Sequence, residues 1–530
     1  MAMKWYSYIS RFRTSPQRPS ERWQDSNAFT DRLHRHGATV FTTLTQQLRQ
    51  SMYTRRQALG ATTRLAILAA LPRWLSATAP GTGDFESRRP PPSQRKFVSH
   101  GVDEAIARVK PLIGDRELGW MFENCFPNTL DTTVSFSTRD GRADSYVVTG
   151  DIDAMWLRDS SAQVWPYLAL ARDDGALRTM IAGLIRRQAE CIQLDPYANA
   201  YWRNPASTAR LQWSEHDLTD MKPGVAERKW EIDSLCHPIR LAHGFWRQTG
   251  DTAPFREEFW QAMRTVVATF RIQQRKDEPG PYHFQRPSEI ATETQFLGGY
   301  GNPTRKIGLI HSMFRPSDDA CLLPFLIPSN LFAAVSLRQL ARMADAIAHD
   351  TTLATDADSL AREVQAAARR FGVIGVGGSA VWAYEADGYG NQLFMDDANT
   401  PSLTSLAYLG VCANNDPLFR RTRAAAWSER NPYFFRGASW AGIGSPHTGL
   451  RMIWPMSHLM RALTSQDDAE IIGCLRAIRA THAGTGFIHE AVDQDNPAQY
   501  TRSWFSWANS LFGELVMNLA KWKPALLRDA

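Results

Sequence analysis

The amino-acid sequence predicts an all-α fold, arranged as a toroid of six inner and six outer helices. From residue 96 onward, apolar residues recur at helical spacing in many separate blocks. Strand-like patterns are few, with short examples at 144–148 and 380–384. About a dozen helices joined by long loops rich in Gly, Pro and Trp fit one domain over residues 96–530 better than a series of small bundles.

The helical blocks can be located along the chain. They lie at 181–192, 255–275, 331–347, 355–371, 450–464, 469–480 and 505–520. In each block, apolar side chains spaced three to four residues apart can form one buried stripe. In a toroid, the ends of the inner helices and their loops form a pocket at one mouth, and such a pocket usually carries the function.

Composition and charge narrow the class of protein. Hydrophobic residues make up 43% and charged residues 22%, as is typical of soluble globular proteins. Residues 1–95 hold 15 lysines and arginines against five acids, so of the net charge of +6 the rest of the chain carries −4. We therefore expect no nucleic-acid partner, because a slightly acidic body does not attract a phosphate backbone. The 18 tryptophans fit a large core or a cleft that stacks against sugar rings or bases.

The cysteines favour neither a metal site nor a redox motif. Six of them stand far apart, with no C-x-x-C pair and no histidine at zinc spacing. They are interpreted as single buried thiols, although one sequence leaves a disulfide or two open. Walker-type phosphate loops and the dinucleotide motif G-x-G-x-x-G are absent. We expect no metal and no cofactor.

Residues 1–95 are predicted to be a leader that ends in a proline-rich linker at 87–95. Within it, 52–79 has a basic start, a short apolar run and then small residues, and Arg55-Arg56 resembles a twin-arginine export signal. A disordered basic leader or a short amphipathic helix is the alternative. Export would make the protein periplasmic or secreted, and otherwise it would be cytoplasmic. No membrane insertion is expected, since the apolar run is too short to span a bilayer.

Acids and aromatics share a loop at residues 150–159, GDIDAMWLRD, just before a predicted helix. Asp151 and Asp159 supply carboxylate acceptors, Arg158 supplies a guanidinium donor and Trp156 a flat apolar face. The hydroxyls of a sugar ring require these three kinds of group. The alternative is a structural ion pair of Arg158 with one of the acids, with Trp156 in the core.

Asp233 stands at the first turn of another predicted helix, in the segment ERKWEIDSLCHPIR. An aspartate at such a position is usually an N-cap, held as a carboxylate by backbone N–H groups. To act as a general acid it must keep its proton near neutral pH, which requires burial or a nearby negative charge such as Glu231. Both interpretations are open at this point.

Two more polar clusters suit hydroxyl recognition. The first, in the segment 310–330, contains Arg315, Ser317 and Asp318, of which Ser317 could instead cap a helix. The second, at 395–401, contains Asp397 and Asn399.

The segment 484–509 contains the sharpest signal, the pair His489-Glu490 after two glycines that allow a tight turn. A glutamate beside a histidine suggests a base that handles water. The second histidine of H-E-x-x-H is missing, which disfavours a zinc protease, and no G-x-S-x-G elbow indicates a serine hydrolase. What remains is an enzyme with paired carboxylates and aromatic walls. Arg502 and Trp504 lie in the same segment.

Five segments, in the expected order, resemble glycoside hydrolase family 125. They are GDIDAMWLRDS (150–160), ERKWEIDSLCHPI (227–239), FRPSDDA (314–320), GIGSPHTG (442–449) and TGFIHE with TRSWFSWANSLF (485–490, 501–512). The resemblance implies an (α/α)6 barrel and a metal-independent, inverting exo-α-mannosidase that acts on α-1,6-linked mannose. It implies a mannose-containing oligosaccharide or N-glycan fragment as substrate. Residues 1–95 depart from the family pattern.

By position, the resemblance implies Asp233 as general acid and Glu490 as general base. In inversion, the acid protonates the departing oxygen while the base activates a water on the opposite face of the sugar. The expected substrate-binding residues are Asp151, Trp156, Arg158, Asp159, Arg315, Asp318, Asp397, Asn399, His447, Arg502 and Trp504.

Two alternatives are left open by the sequence. Another toroidal exo-glycosidase, such as a glucosidase, would use equivalent carboxylates and aromatic walls, and only an assay separates it from a mannosidase. A non-catalytic sugar-binding or scaffolding protein is the other alternative, against which the presence of both Asp233 and Glu490 argues. The oligomeric state and the natural glycan are not defined by the sequence.

Overall fold

A computed structural model of the protein describes residues 85–530, so the predicted export signal at 52–79 lies outside the described residues. Helices dominate the described part. They are α1 His100–Val109, α2 Arg116–Cys125, α3 Asn128–Thr132, α4 Leu157–Val164, α5 Gly175–Leu194, α6 Ile232–Thr249, α7 Glu257–Gln273, α8 Ile327–Met343, α9 Thr351–Phe371, α10 Pro417–Ala426, α11 Pro455–Leu463, α12 Asp468–Arg479, α13 Ser506–Trp522 and α14 Pro524–Asp529. Each predicted helical block corresponds to one of these helices.

The helices form two layers, as an (α/α)6 barrel requires. Helices α4, α6, α8, α11 and α13 are largely buried and form the inner ring, in which α4 packs on α6 and α13, α6 on α8, and α11 on α13. Amphipathic helices such as α9 and α10 lie outside them. Each outer helix buries one stripe against the ring and exposes its polar face.

The sixth inner element is not a regular helix. Chain order assigns this position to a run of turns at 404–410, between α8 and α10. Ser402 and Ser405 hydrogen-bond to each other's backbone groups there, and Gly410 adopts φ 80°. Serine side chains that bond locally compete with helical hydrogen bonds, which explains why turns replace the expected helix.

The two layers differ at their N-termini. Aspartate side chains accept a hydrogen bond from the first turn of α2, α5, α9, α10 and α12; these N-caps are Asp115, Asp174, Asp350, Asp416 and Asp467. In contrast, none of the five inner helices has a side-chain cap in the described structure. The N–H groups and the positive dipole ends of the inner helices are therefore directed toward one mouth of the barrel without a capping side chain.

Strands are short and belong to the loops. The described residues form six small antiparallel sheets, from β1 Val134–Arg139, β2 Arg142–Val147, β3 Met155–Trp156, β4 Ala200–Tyr201, β5 Val225–Glu227, β6 Phe325–Leu326, β7 Val373–Val376, β8 Ser379–Trp382, β9 Glu385–Ala386, β10 Gln392–Leu393, β11 Phe434–Arg436, β12 Ala441–Ile443, β13 Met452–Ile453 and β14 Val492–Asp493. The two predicted strands are confirmed as β2 and β8. The sheet β3-β4-β5 aligns Trp156, Ala200 and Glu227 at the mouth of the barrel.

Residues 87–95, predicted to be a linker, pack with Phe85 and Glu86 against the helical domain. The ring of Phe85 stacks on Trp120 with 5.1 Å between centroids, and the Trp120 indole donates a hydrogen bond to the carbonyl of Glu86 at 2.6 Å. Arg89 pairs with the buried Asp131 at 2.8 Å. An apolar contact and an ion pair thus attach the segment, and a boundary at residue 96 would cut through a packed unit.

Two further predictions concern the cysteines and membrane-spanning helices. All six cysteines lie within residues 85–530 and all six are free thiols there, as predicted. Among the helices that the structure describes, none combines the length and the apolar character needed to cross a bilayer.

Candidate active site

A cavity of about 370 Å³ lies at the N-terminal ends of the inner helices. Its wall comes from the loops before α4, the turns at 404–410, α11 and α13, and from the long loops that follow α5 and α7. It is lined by Thr149, Ile152, Trp156, Arg158, Asp159, Trp213, Glu227, Lys229, Arg286, Glu293, Pro316, Ser317, Asp318, Asn399, His447, Trp454, Glu490, Arg502, Phe505 and Trp507. Segments separated by hundreds of residues meet here.

The cavity gathers most of the residues proposed from the sequence, but not all. Those that line it are Trp156, Arg158, Asp159, Asp318, Asn399, His447, Glu490 and Arg502. Those that do not line it are Asp151, Asp233, Arg315, Asp397 and Trp504.

Arg158, in the first turn of α4, is the electrostatic centre of the cavity floor. Its guanidinium forms a short ion pair with Glu231 and lies 3.5 Å from Asp233, 3.5 Å from Asp318 and 3.6 Å from Asp159. One buried cation thus faces four carboxyl groups. Because four carboxylates around one cation would repel one another, some of them must hold protons.

The four carboxyl groups differ in their pKa values: three are raised and one is lowered. Burial raises the pKa of Asp159 and of Asp233 to about 6, and it raises the pKa of Glu231 well above its ordinary value. For Asp318 the effect of burial is outweighed by the nearby guanidinium and by Lys229, so its pKa is lowered to about 2. The nearby Asp318 favours the protonated form of Glu231 and so adds to the rise of its pKa, while Glu231 favours the carboxylate form of Asp318. The pair therefore holds one proton next to the cavity.

Asp233 lies beneath the cavity floor. Helix α6 begins at Ile232, so Glu231 occupies the N-cap position and Asp233 is not the cap. The Asp233 side chain is 0% exposed; its Oδ1 accepts a hydrogen bond from Ser329 of α8 at 3.0 Å, and its Oδ2 is the atom nearest Arg158. In this position it holds the guanidinium from below and does not reach the cavity.

Asp318 and Asp159 are the two carboxyl groups of this cluster that line the cavity, and Asp318 is the more exposed of the two. Its backbone is left-handed, with φ 68°, a conformation that costs free energy in residues other than glycine and is often found at functional sites. Lys229 donates to its carbonyl at 2.7 Å and Asn199 to its Oδ1 at 3.3 Å, while 25% of its side chain is exposed. Ser317 bonds to Asp319 and starts no helix, so the alternative that it is a cap is excluded.

Glu490 approaches the cavity from the loop between α12 and α13. Thr501 donates a hydrogen bond to its Oε2 at 3.0 Å, and Arg502 lies 3.6 Å from its Oε1. Arg502 is in turn held by Asp151 at 3.2 Å, so Asp151 acts from the rim. With 12% of its side chain exposed, Glu490 is oriented by its neighbours yet accessible.

His489 does not take part in the cavity, contrary to its expected role beside the base. It is buried, its Nδ1 lies 2.9 Å from the carbonyl of Arg502 and its Nε2 lies 3.2 Å from that of His482. Its ring stacks on Tyr500 with 3.7 Å between centroids. These contacts fix the shape of the loop that carries the neighbouring Glu490.

Three more of the proposed binding residues act from outside the cavity. Asp397 accepts hydrogen bonds from the backbone and side chain of Asn399 and thereby orients it. Arg315 is buried in an ion pair with Glu385 at 2.6 Å. Trp504 lies beside Gly150, in the loop that leads to Trp156.

Several cavity residues on the long loops were not predicted from the sequence. They are Trp213, Glu227, Lys229, Arg286 and Glu293. Glu227 and Lys229 lie within the segment ERKWEID, where only the later acids were considered. The others lie in irregular loops without periodicity, and no sequence signal marked them.

Three comparisons with known proteins identify the family of the chain. The family model described as metal-independent alpha-mannosidase (GH125) matches residues 115–517. The meiotically up-regulated gene 157 protein of Schizosaccharomyces pombe is 40% identical over 469 residues, which cover 85% of this chain and 92% of that protein. A metal-independent alpha mannosidase of Streptococcus pneumoniae, solved in a non-productive complex with alpha-1,6-mannobiose, is 38% identical with a TM-score of 0.77 and covers 81% of this chain and 100% of that one.

The family match extends over most of the described residues and includes every residue that lines the cavity. The sequence-based expectation of the family and of its (α/α)6 barrel is thereby confirmed. The chain belongs to glycoside hydrolase family 125, the metal-independent α-mannosidases.

Proposed function

We propose that this chain releases terminal mannose from α-1,6-linked mannosides, such as an oligosaccharide or N-glycan fragment, with inversion of configuration. The main support is that Asp318 and Glu490 line one cavity although they come from loops on different parts of the chain. The buried side chains of Trp156, Arg158 and Asp159 close its floor. Such a cavity accepts the end of a glycan and not its middle, which favours exo action. The mannobiose complex of the relative at 38% identity supports the linkage.

Glu490 is the proposed general base. Thr501 and Arg502 keep its carboxylate oriented, and neither interaction encloses it. A carboxylate held in this way accepts a proton from a water molecule as that water attacks the anomeric carbon.

Asp318 is the proposed general acid, in place of Asp233. An acid must contact the departing oxygen, and Asp318 is partly exposed in the cavity wall whereas Asp233 is enclosed. The one proton of the Glu231–Asp318 pair resides on Glu231: as negative charge develops on the leaving oxygen, Glu231 transfers this proton to Asp318 and Asp318 transfers it to the oxygen, which leaves both acids as carboxylates beside the Arg158 guanidinium.

The floor supplies the groups that bind the terminal sugar. The indole N–H of Trp156 and the Oδ2 of Asp159 are buried with no hydrogen-bond partner among the described residues. A donor and an acceptor of this kind suit sugar hydroxyls, because buried polar groups need partners. Asn399 and His447 also line the cavity.

The test is incubation of the protein with α-1,6-mannobiose in the presence of a chelator, with the product anomer followed by NMR. Release of β-mannose that persists with chelator supports the proposal, and Glu490→Gln should abolish it. Initial release of α-mannose would refute inversion. Binding of mannobiose without release would favour a sugar-binding protein, and activity on α-glucosides alone would indicate a glucosidase.

A further inference from the structure

Trp213 lies at the mouth of the cavity and has no part in the chemistry described above. It belongs to a short 3-10 turn, Gln212–Ser214, in the long loop after α5. Its side chain lines the cavity, yet the residue is 43% exposed. Single exposed aromatic residues are common on protein surfaces and need no explanation, so the surroundings of this one have to decide whether it binds a ligand.

The indole is held in place by buried groups. Its Nε1 donates to Oε1 of Glu227 at 3.1 Å, and Glu227 is itself fixed by Arg286 at 2.9 Å and Asn199 at 2.9 Å. The turn that carries Trp213 is tied down by Ser214, which donates to the carbonyl of Ala226 at 3.1 Å. The ring is therefore oriented before a ligand binds, which lowers the entropic cost of binding.

Leu211, just before the turn, attaches the loop to the cavity floor. It packs in a small apolar cluster with Trp156, a floor residue, and Ala226, a neighbour of Glu227. The position of Trp213 is thus linked to the site of the terminal sugar rather than to a separate surface.

The exposed fraction of the lining residues increases from the floor of the cavity to its mouth. Trp156, Arg158 and Asp159 are almost fully buried, the two proposed catalytic carboxylates are partly exposed, and Trp213 is the most exposed of these residues. In an exo-hydrolase the terminal sugar occupies the floor and the bond to be cleaved lies between the carboxylates. The mouth then contacts the sugar that leaves.

Resting on the proposed function, we propose that Trp213 is the platform on which the pyranose ring of the leaving group stacks, and that Glu227 is a positioning residue that orients the indole. An aromatic face offers a rigid apolar surface to the C–H groups of a sugar ring. The ring of Trp213 would thus contribute to discrimination between glycan substrates and small mannosides.

The experiment compares two substrates that differ in the leaving group. In α-1,6-mannobiose the leaving group is a sugar, whereas in α-mannosyl fluoride it is a single atom that cannot reach the mouth. Trp213→Ala should raise KM for mannobiose about tenfold, and the kinetics with the fluoride should change less than about twofold. Trp213→Phe, which keeps a ring but loses the N–H, should give a smaller loss on mannobiose.

Two controls make the result decisive. Trp522→Ala removes an exposed tryptophan at the C-terminal end of α13, the end opposite to the one that lines the cavity, and should change the kinetics with neither substrate. Glu227→Gln should weaken mannobiose binding in the same direction as the Trp213 variants while fluoride hydrolysis persists. Unchanged mannobiose kinetics in Trp213→Ala, or an equal loss on both substrates, would overturn the platform. Failure of the unsubstituted protein on both substrates would instead refute the proposed function.

Discussion

At the scale of single residues, Arg158 has the largest electrostatic role. It is the cation that lies within 4 Å of Glu231, Asp233, Asp159 and Asp318 at once. Removing a charge from such a buried cluster leaves the opposite charges without compensation, which is more costly than the loss of any surface pair.

We expect Arg158→Met to lower the free energy of unfolding by about 3–5 kcal/mol, because carboxylates of the cluster stay buried without their partner. The measurement is urea denaturation at neutral pH. Arg362→Met is the matched control, since Arg362 is exposed and pairs with Asp358 on the surface of α9, and its loss should cost less than about 1 kcal/mol. Equal effects of the two substitutions would mean that the cluster does not depend on its cation.

The choice between Asp318 and Asp233 also belongs to single residues. Asp318→Asn should lower mannobiose hydrolysis by about 10² to 10⁴, the usual contribution of a general acid. Hydrolysis of 2,4-dinitrophenyl α-mannoside should fall far less, because its leaving group needs no proton. Asp233→Asn should affect both substrates alike through Arg158. The opposite pattern, with the leaving-group dependence in the Asp233 variant, would return the acid role to Asp233.

The sequence could identify the acids of the site but not their depth. Asp233 and Asp318 both stand among polar residues next to apolar runs, so their local patterns are equivalent. Their tertiary surroundings separate them. Helix α6 packs on α8 and encloses Asp233 against Ser329, whereas the left-handed backbone of Asp318 itself turns its side chain toward the cavity. Neither the packing nor the φ value follows from residue types.

At the scale of elements, the helices could be predicted from the periodicity of apolar residues, whereas the structure of the loops could not be predicted. Helices with aspartate caps, such as α9 and α12, have clear apolar stripes, and both features can be seen in the sequence. The inner ring is less regular. Its helices begin at large residues without caps, such as Trp156 and Leu326, and its sixth member is a set of turns.

The loop that carries Glu490 is shaped by a close approach at Gly486. A Cβ at this position would lie 2.7 Å from the side chains of Trp120 and Asn124. Gly484 has the same φ of 76°, but nothing lies within 4 Å of its would-be Cβ. A substitution would meet the same backbone strain at either glycine, so the two positions differ in crowding.

We therefore expect Gly486→Ala to lower kcat more than tenfold by displacing Glu490, and to cost about 1–3 kcal/mol of stability beyond the effect of Gly484→Ala. Steady-state kinetics on mannobiose and thermal unfolding of both variants provide the comparison. If kcat and stability were nearly the same in the two variants, the side chains of Trp120 and Asn124 would have moved to accommodate the methyl group. The contact at Gly486 would then not fix the loop.

At the scale of the whole molecule, the folded unit extends beyond the boundary predicted at residue 96. The proline-rich composition of 87–95 is typical of linkers. Composition does not indicate that residues of α1, α2 and α3 pack against this segment. Arg89 pairs with Asp103 and Asp131. Trp120 stacks on the ring of Phe85 and donates a hydrogen bond to the carbonyl of Glu86. Composition describes how a segment behaves alone, whereas packing depends on what lies opposite it.

This attachment predicts a difference between two truncated chains. Removing residues 1–95 should cost about 3 kcal/mol more of unfolding free energy than removing residues 1–84, because the first change leaves Asp131 buried without Arg89 and uncovers Trp120. The measurement is denaturant unfolding of both chains. Arg89→Ala in the full-length chain should reproduce most of the loss, since it removes the ion pair and keeps the segment. Equal stability of the two truncated chains would mean that the folded unit begins at residue 96, and that the contacts of residues 85–95 follow folding without contributing to it.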